Sequence, residues 1–272
     1  MIDTNHTQKQ KVLSLLGRYF AADEIEWFLQ HLLNSKAVIV GSTVLEALDL
    51  LEVARTSRGL DILVPKGKTI VLSTFIASKG FDSFSAEIYR HYEPFCKAVT
   101  TFRKPSVESI TLIECDQESV WPHVLACPTT ASATIMSATY IVILYPELTM
   151  RKLSLTRRTN FPPTQRDDVF HTRMICHGFH AFLSNNAPEL EGILNVCPGT
   201  VRRLRGGRGI AGMCWSEPPQ RMSYDEDFLA LAWRSNFTKG DVGYMWQFHT
   251  RCNEEGCKYK RMNTLPGLDG YE

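Results

Sequence analysis

The chain has 272 residues, 44% of them hydrophobic, and its 30 basic and 29 acidic residues leave a formal net charge of +1. This length and apolar content suffice for one large globular domain or two modest ones. The near-neutral charge excludes attraction of the whole molecule to nucleic acid or to an anionic membrane, so any patch that binds either must be local.

The amino-terminal segment 1–10 is polar, and the sequence has neither a signal-peptide core nor an apolar run long enough to cross a bilayer. We therefore expect a protein without a membrane partner that stays inside the cell, in the cytoplasm or nucleus. In a reducing compartment, its eight cysteines are expected to be mostly free or buried thiols rather than a disulfide framework.

The first forty residues predict helices followed by a strand. Apolar residues recur at helical spacing over 8–34, which indicates two helices that pack one face on a core. The β-branched run 37–40 predicts a short strand, closed by Gly41-Ser42, and 43–53 again has helical periodicity. The predicted order is strand, tight turn and helix.

Further elements alternate up to about residue 155. We predict strands at 60–64, 81–92, 109–115 and 140–145, and helices at 68–79 and 128–140. This alternation predicts an α/β (α+β) domain with a mixed sheet over 1–155. The remainder, 156–272, is expected to be a mostly helical or irregular region, with one helix over 169–183.

The most informative combination is an apolar strand closed by Gly41-Ser42, a helix, and then a second strand that carries Asp61. It resembles the nucleotidyltransferase (polymerase-beta-like) superfamily. The resemblance implies that a nucleoside triphosphate binds at Gly41, Ser42 and Thr43, because a glycine lets backbone approach phosphates and the hydroxyl and amides at a helix start bind their oxygens.

That family pairs two carboxylates as Asp-apolar-Asp, so that alternate strand positions aim both at divalent metal. Here the first position is Gly59, and Asp61 alone remains as a candidate magnesium ligand and catalytic residue. A third carboxylate would come from a later strand, where Glu114 is the nearest candidate, although a register slip of one residue would put it on the wrong face.

Four segments in order also resemble uncharacterised proteins of basidiomycete fungi that carry this domain, namely GSTVLE, LDILVP, SITLIE and LYPELT. The missing carboxylate at position 59 then predicts a degenerate, pseudoenzyme-like protein that binds nucleotide with weak or no transferase activity. Two alternatives stay open: an active transferase on a small molecule, protein or RNA end that uses Asp61 and Glu114, and an α/β domain without any nucleotide site.

The carboxyl-terminal region offers a second class of function, a binding or scaffold protein. His249, Cys252 and Cys257 are a loose match to a zinc site and need a distant fourth ligand. The most basic stretch suits phosphate contact with nucleic acid and equally suits a solvated loop; it contains Arg202, Arg203, Arg205 and Arg208.

The predicted helix 169–183 also offers a candidate thiol nucleophile. Cys176 and His177 are adjacent and would point about 100° apart, whereas His180, four residues on, would face the thiol. Without an oxyanion element, core packing is the preferred interpretation of these residues.

Overall fold

The computed structural model describes residues 4–51, 59–86, 95–156, 165–183, 187–190, 193, 202–203, 210–216 and 245–246. Within them, helices α1 to α7 span Thr4–Leu16, Ala22–Ser35, Ser42–Ala47, Thr69–Ser78, Trp121–Leu125, Pro146–Thr149 and Gln165–Cys176. No described helix combines the length and apolar character that a membrane span requires.

The described strands number twelve. In chain order, β1 to β12 are Val38–Val40, Gly59–Val64, Asp82–Ala86, Cys96–Lys104, Val107–Cys115, Thr134–Met136, Tyr140–Ile143, Leu153–Leu155, His180–Phe182, Arg202–Arg203, Ala211–Cys214 and Met245–Trp246. A 3₁₀ turn lies at Pro188–Leu190.

Eight strands form one mixed sheet in the order β11-β7-β6-β1-β2-β5-β4-β3. β2 and β5 run parallel, and the other neighbours in this sheet are antiparallel. The predicted fold class, an α/β chain with a mixed sheet and helices, is confirmed.

Packed apolar residues cover both faces of the sheet, and the side chains of a central strand alternate between these two faces. On β2, Leu60 and Ile62 belong to the core cluster that also contains residues of α1, α2 and α4. Leu63 belongs to a second cluster on the other face, together with Trp121 of α5 and Leu148 of α6. Such alternation between two buried faces explains why β2 is apolar at most positions.

Three predicted helices differ from the structure, and the first of them, 43–53, ends at Ala47. Segment 128–140, rich in small residues and predicted to be a helix, contains strand β6, which pairs with β1 on one side and β7 on the other. The predicted helix 169–183 ends at Cys176 and is followed by β9.

Residues beyond 155 also contribute to the main sheet. β11 pairs antiparallel with β7, from Ala211 opposite Ile143 to Cys214 opposite Tyr140. The indole N–H of Trp215, which is buried, donates to the Ser137 carbonyl at 3.1 Å. The sheet of the predicted domain 1–155 is thus completed by chain from the predicted region 156–272.

Candidate functional site

A cavity of about 340 Å³ lies where the Gly41-Ser42 turn and β2 meet α7. Its wall is partly apolar, with Leu45, Leu63, Phe170 and Met174. Its polar groups come from five parts of the chain, and they include Ser42, Asp61, His123, Ser132, Arg173 and His177. An apolar cleft with a few convergent polar groups is the usual character of a small-molecule site.

The turn between β1 and α3 requires glycine. Gly41 has φ 78° and ψ −152°, a combination that residues with a Cβ rarely adopt. A Cβ at this position would lie 3.3 Å from Oδ2 of Asp61. Gly41 therefore lets the turn pass close to the carboxylate, and the backbone and Ser42 form one side of the cavity.

Thr43, predicted to bind nucleotide, is not among the residues that line the cavity. Its side chain is buried, and its hydroxyl donates to the Gly59 carbonyl at 3.0 Å. This bond ties the first turn of α3 to the start of β2. Thr43 consequently positions the turn, while Gly41 and Ser42 line the cavity.

Asp61 lies on β2 and lines the cavity from the sheet side. Burial raises the pKa of its carboxyl group above the ordinary 3.8, while the positive charge of Arg173 and a hydrogen bond from Thr111 act in the opposite direction. Thr111 thus donates a hydrogen bond to this carboxylate, and Arg173 acts on it through its charge.

The neighbouring strand positions hold no second acid. β2 and β5 pair in parallel with Gly59 opposite Ser109 and Asp61 opposite Thr111. Residues opposed in this way present their side chains on one face of the sheet. Around Asp61, the positions that could carry partner carboxylates hold Gly59, Ser109 and Thr111, and a Cβ at Gly59 would lie 3.2 Å from the Ser109 hydroxyl oxygen.

Glu114, the candidate third carboxylate, does not join Asp61. It lies three positions beyond Thr111 along β5, and an odd offset places it on the opposite face of the sheet. Its carboxylate accepts hydrogen bonds from the Gly67 amide at 2.9 Å and from Lys97 Nζ at 2.8 Å. Although burial acts to raise the pKa of Glu114, these bonds lower it overall.

Sequence reasoning missed the contribution of α7. Arg173 lies on this helix, and the His177 amide donates to the Arg173 carbonyl at 3.0 Å, so the helical turn continues past Cys176. Residues four apart share a helix face, and both side chains line the cavity. This spacing was available in the sequence, but nothing there indicated that the helix packs over β2.

The structure does not support Cys176 as a nucleophile activated by His180. Cys176 is exposed at the end of α7, and His180 belongs to β9. The helical spacing that would turn His180 toward the thiol is therefore absent. The core-packing interpretation also fails for Cys176, since its side chain is in solvent, and His177 lines the cavity instead.

The described residues contain no group of three or more His, Cys, Asp or Glu side chains that could hold a metal ion. A two-metal magnesium centre needs several carboxylates, and one carboxylate facing an arginine does not fit that requirement. The zinc candidates His249, Cys252 and Cys257 lie outside the described residues.

The basic stretch is described in part. Arg202 and Arg203 form β10, which pairs antiparallel with Met245 and Trp246 of β12. Arg205 and Arg208 lie outside the described residues. Nucleic-acid contact by this stretch stays a prediction.

Comparisons with known proteins give a distant likeness. No protein family model matches the sequence, and no curated protein matches it. A CCA-adding enzyme in complex with CTP is 11% identical with a TM-score of 0.37, over 54% of this chain and 36% of that chain. An apo form of a CCA-adding enzyme is 11% identical with a TM-score of 0.41, over 63% and 42%. The chain spans less than half the length of these enzymes, and the likeness assigns no activity or ligand to it.

Proposed function

We propose that this protein binds a nucleotide in the cavity beside the Gly41-Ser42 turn and does not transfer nucleotidyl groups through a two-metal centre. The observation that supports this most is the lining of the cavity. Asp61 is the one carboxylate among the described lining residues, and the positive charge of Arg173 acts to lower its pKa. The protein is then a nucleotidyltransferase-like fold that has kept a ligand pocket without the acids of a catalyst.

The polar groups of the cavity suit a phosphate. An arginine offers a planar set of N–H donors that matches phosphate oxygens in two-point contact. His177 lies one turn from Arg173 on the same helix face, and Ser42 adds a hydroxyl from the turn. We expect the phosphate to lie near these three residues.

The apolar part of the cavity suits a base. Leu63, Phe170 and Met174 form a wall against which a flat heterocycle can pack. A cavity of about 340 Å³ is in the size range of small-molecule sites. This division into a polar and an apolar part favours a nucleotide over inorganic phosphate alone.

Arg173 provides the positive charge that a divalent metal would otherwise bring to the phosphates. A cation near Asp61 also reduces the attraction of that carboxylate for magnesium, since like charges repel at short range. We therefore propose binding that is independent of magnesium.

The alternatives have less support. An active transferase that uses Asp61 and Glu114 would need both acids in one place, whereas Glu114 faces the other side of the sheet and bonds to Lys97. A scaffold function of the carboxyl-terminal region depends mostly on residues outside the described part and stays a prediction.

Calorimetric titration of ATP, GTP, CTP and UTP against the full chain and two variants tests the proposal. Arg173→Ala removes the cation of the cavity, and Arg151→Ala removes an exposed arginine that does not line it. A hydrogen bond to a charged group contributes roughly 1.5–3 kcal/mol. We expect at least one nucleotide to bind, with affinity about tenfold or more lower in Arg173→Ala.

Arg151→Ala is the control in this titration. Arg151→Ala is expected to bind like the parent chain. Equal loss in both variants would indicate a general charge effect instead of a site, and absence of heat with all four nucleotides would overturn the proposal.

A further inference from the structure

Two cysteines face each other across neighbouring strands, away from the cavity. Cys96 begins β4, Cys115 ends β5, and the antiparallel register sets them directly opposite. Cys115 belongs to a core cluster on one face of the sheet and Cys96 packs against that cluster, so their side chains point to the same side. Each is a free thiol in the structure.

A backbone hydrogen bond beside Cys96 and Cys115 shows which kind of cross-strand pair they form. The Asp116 amide donates to the Phe95 carbonyl at 3.1 Å, which joins the two residues that flank the pair on the outer side. In an antiparallel ladder this bond marks a non-hydrogen-bonded pair, in which the Cα atoms are about 4.5 Å apart and side chains are closest. Disulfides need Cα atoms roughly 4.4–6.8 Å apart, and the ideal spacing of such a pair falls at the short end of this range. The register shifts between Cys96 and Ala98, so the pair lies beside an irregularity of β4.

The two thiols differ in access. Cys115 is buried, with 1% of its surface exposed, whereas Cys96 is partly exposed. Burial raises the pKa of Cys115 to about 12, and a charge on the neighbouring Cys96 raises it further. A small oxidant in solvent can reach Cys96 first, and Cys115 can then reach Cys96.

We propose that Cys96 and Cys115 form a reversible cross-strand disulfide when the chain meets a low-molecular-weight disulfide. The thiolate of Cys96 attacks one sulfur of the small disulfide, which forms a mixed disulfide and releases one small thiol. Cys115, after losing its proton to solvent, then attacks the sulfur of Cys96 and releases the second small thiol. Two protein thiols are oxidised, and one small disulfide is reduced to two thiols.

This assignment is independent of the nucleotide site. The disulfide would link β4 to β5, the strand that carries Thr111 beside Asp61.

The test incubates the full chain with glutathione disulfide, blocks the remaining thiols by alkylation, and locates disulfides by intact mass and fragmented peptides. We expect the parent chain to lose two hydrogens at Cys96 and Cys115 and to regain both thiols with dithiothreitol. The oxidised chain should also unfold at a higher temperature than the reduced chain, because the link restricts the unfolded state.

Three variants separate the pair from other thiols. In Cys115→Ala the mixed disulfide on Cys96 should accumulate, since no second thiol resolves it. In Cys96→Ser the link should be absent. In Cys176→Ser, which removes an exposed thiol elsewhere, the link should form as in the parent chain. The proposal would be overturned if glutathione disulfide modified Cys176 in the parent chain while Cys96 and Cys115 both remained thiols and were alkylated afterwards.

Discussion

Asp61 is a partly exposed acid that accepts a hydrogen bond from Thr111 and feels the positive charge of Arg173. Burial raises its pKa, so the charged form carries a cost in the folded chain. A site with paired carboxylates and metal would compensate such a cost by coordination. Here the compensation comes from Arg173 and Thr111, and it is incomplete, because the pKa of Asp61 is still raised overall.

The raised pKa of Asp61 predicts a particular dependence of stability on pH. The folded chain binds this proton more tightly than the unfolded chain, so the free energy of unfolding decreases as pH rises from the ordinary 3.8 through the folded pKa. Asp61→Asn, which cannot ionise, should therefore be more stable than the parent chain at neutral pH, and the gain should disappear as pH falls.

Urea unfolding of both proteins at several pH values measures this difference. Asp82→Asn makes the same chemical change on exposed β3 and serves as the control. An Asp61→Asn variant that is less stable than the parent chain at neutral pH would contradict the account of the site.

Gly41 gives a second prediction at this scale. Gly41→Ala places a Cβ on a backbone with φ 78° and ψ −152° and 3.3 Å from Asp61 Oδ2. We expect a loss of about 1–3 kcal/mol in the free energy of unfolding. Gly67 also has positive φ, but a Cβ there meets nothing within 4 Å. Urea unfolding should show a smaller loss in Gly67→Ala, and equal losses would indicate that contact with Asp61 is unimportant.

At the scale of elements, α7 brings Arg173 and His177 to the sheet through its flanking strands. β8 and β9 pair in parallel on either side of α7 in sequence. β8 is held to the body by Thr130, whose amide donates to the Leu155 carbonyl at 2.9 Å and whose hydroxyl accepts from the Leu155 amide at 3.0 Å. The position of the cationic side of the cavity thus depends on a buried polar junction.

That junction predicts the effect of Thr130→Val. Thr130 is fully buried, and valine would leave the Leu155 amide without its acceptor, at a cost of about 1–3 kcal/mol. Thr149→Val is the matched control: it is equally buried, and its hydroxyl has no hydrogen-bond partner within the described part of the chain. Chemical unfolding should show Thr149→Val neutral or stabilised. A neutral Thr130→Val would contradict the proposed junction.

The mistaken helix at 128–140 has a physical cause. Its alanines, serines and threonines are small residues that suit close helix packing, yet Thr134 and Ile135 are β-branched and favour strands. The decisive factor is that β6 pairs with both β1 and β7, neighbours that are far apart in sequence. Local composition does not reveal such long-range pairing.

For the whole molecule, the sequence predicted the class of fold and singled out Gly41, Ser42 and Asp61, which line one half of the candidate cavity. Strong periodicity identified α1, α2, α4, β2 and β5, because each buries a regular set of side chains. The other half of the site was not predictable. Arg173 lines the same cavity as Asp61 because of the packing of α7, and the face of Glu114 depends on a register that composition leaves open.

Completion of the sheet by β11 gives a prediction about the boundary at residue 155. A chain that ends there loses β11, Trp215 and α7, so the edge of β7 and its buried Ile141 and Ile143 become exposed. We expect aggregation or strong binding of a hydrophobic dye. A chain that ends at residue 216 keeps these elements and is the control. Cooperative urea unfolding of the soluble shorter chain would contradict this prediction.

The most direct test of the central claim is calorimetry of the preferred nucleotide against the full chain in EDTA and in magnesium. If Arg173 provides the charge that metal would bring, the affinity should be the same in both conditions and should persist in Asp61→Asn. Binding that appears only with magnesium and is lost in Asp61→Asn would contradict the claim and would show that Asp61 still acts as a metal ligand.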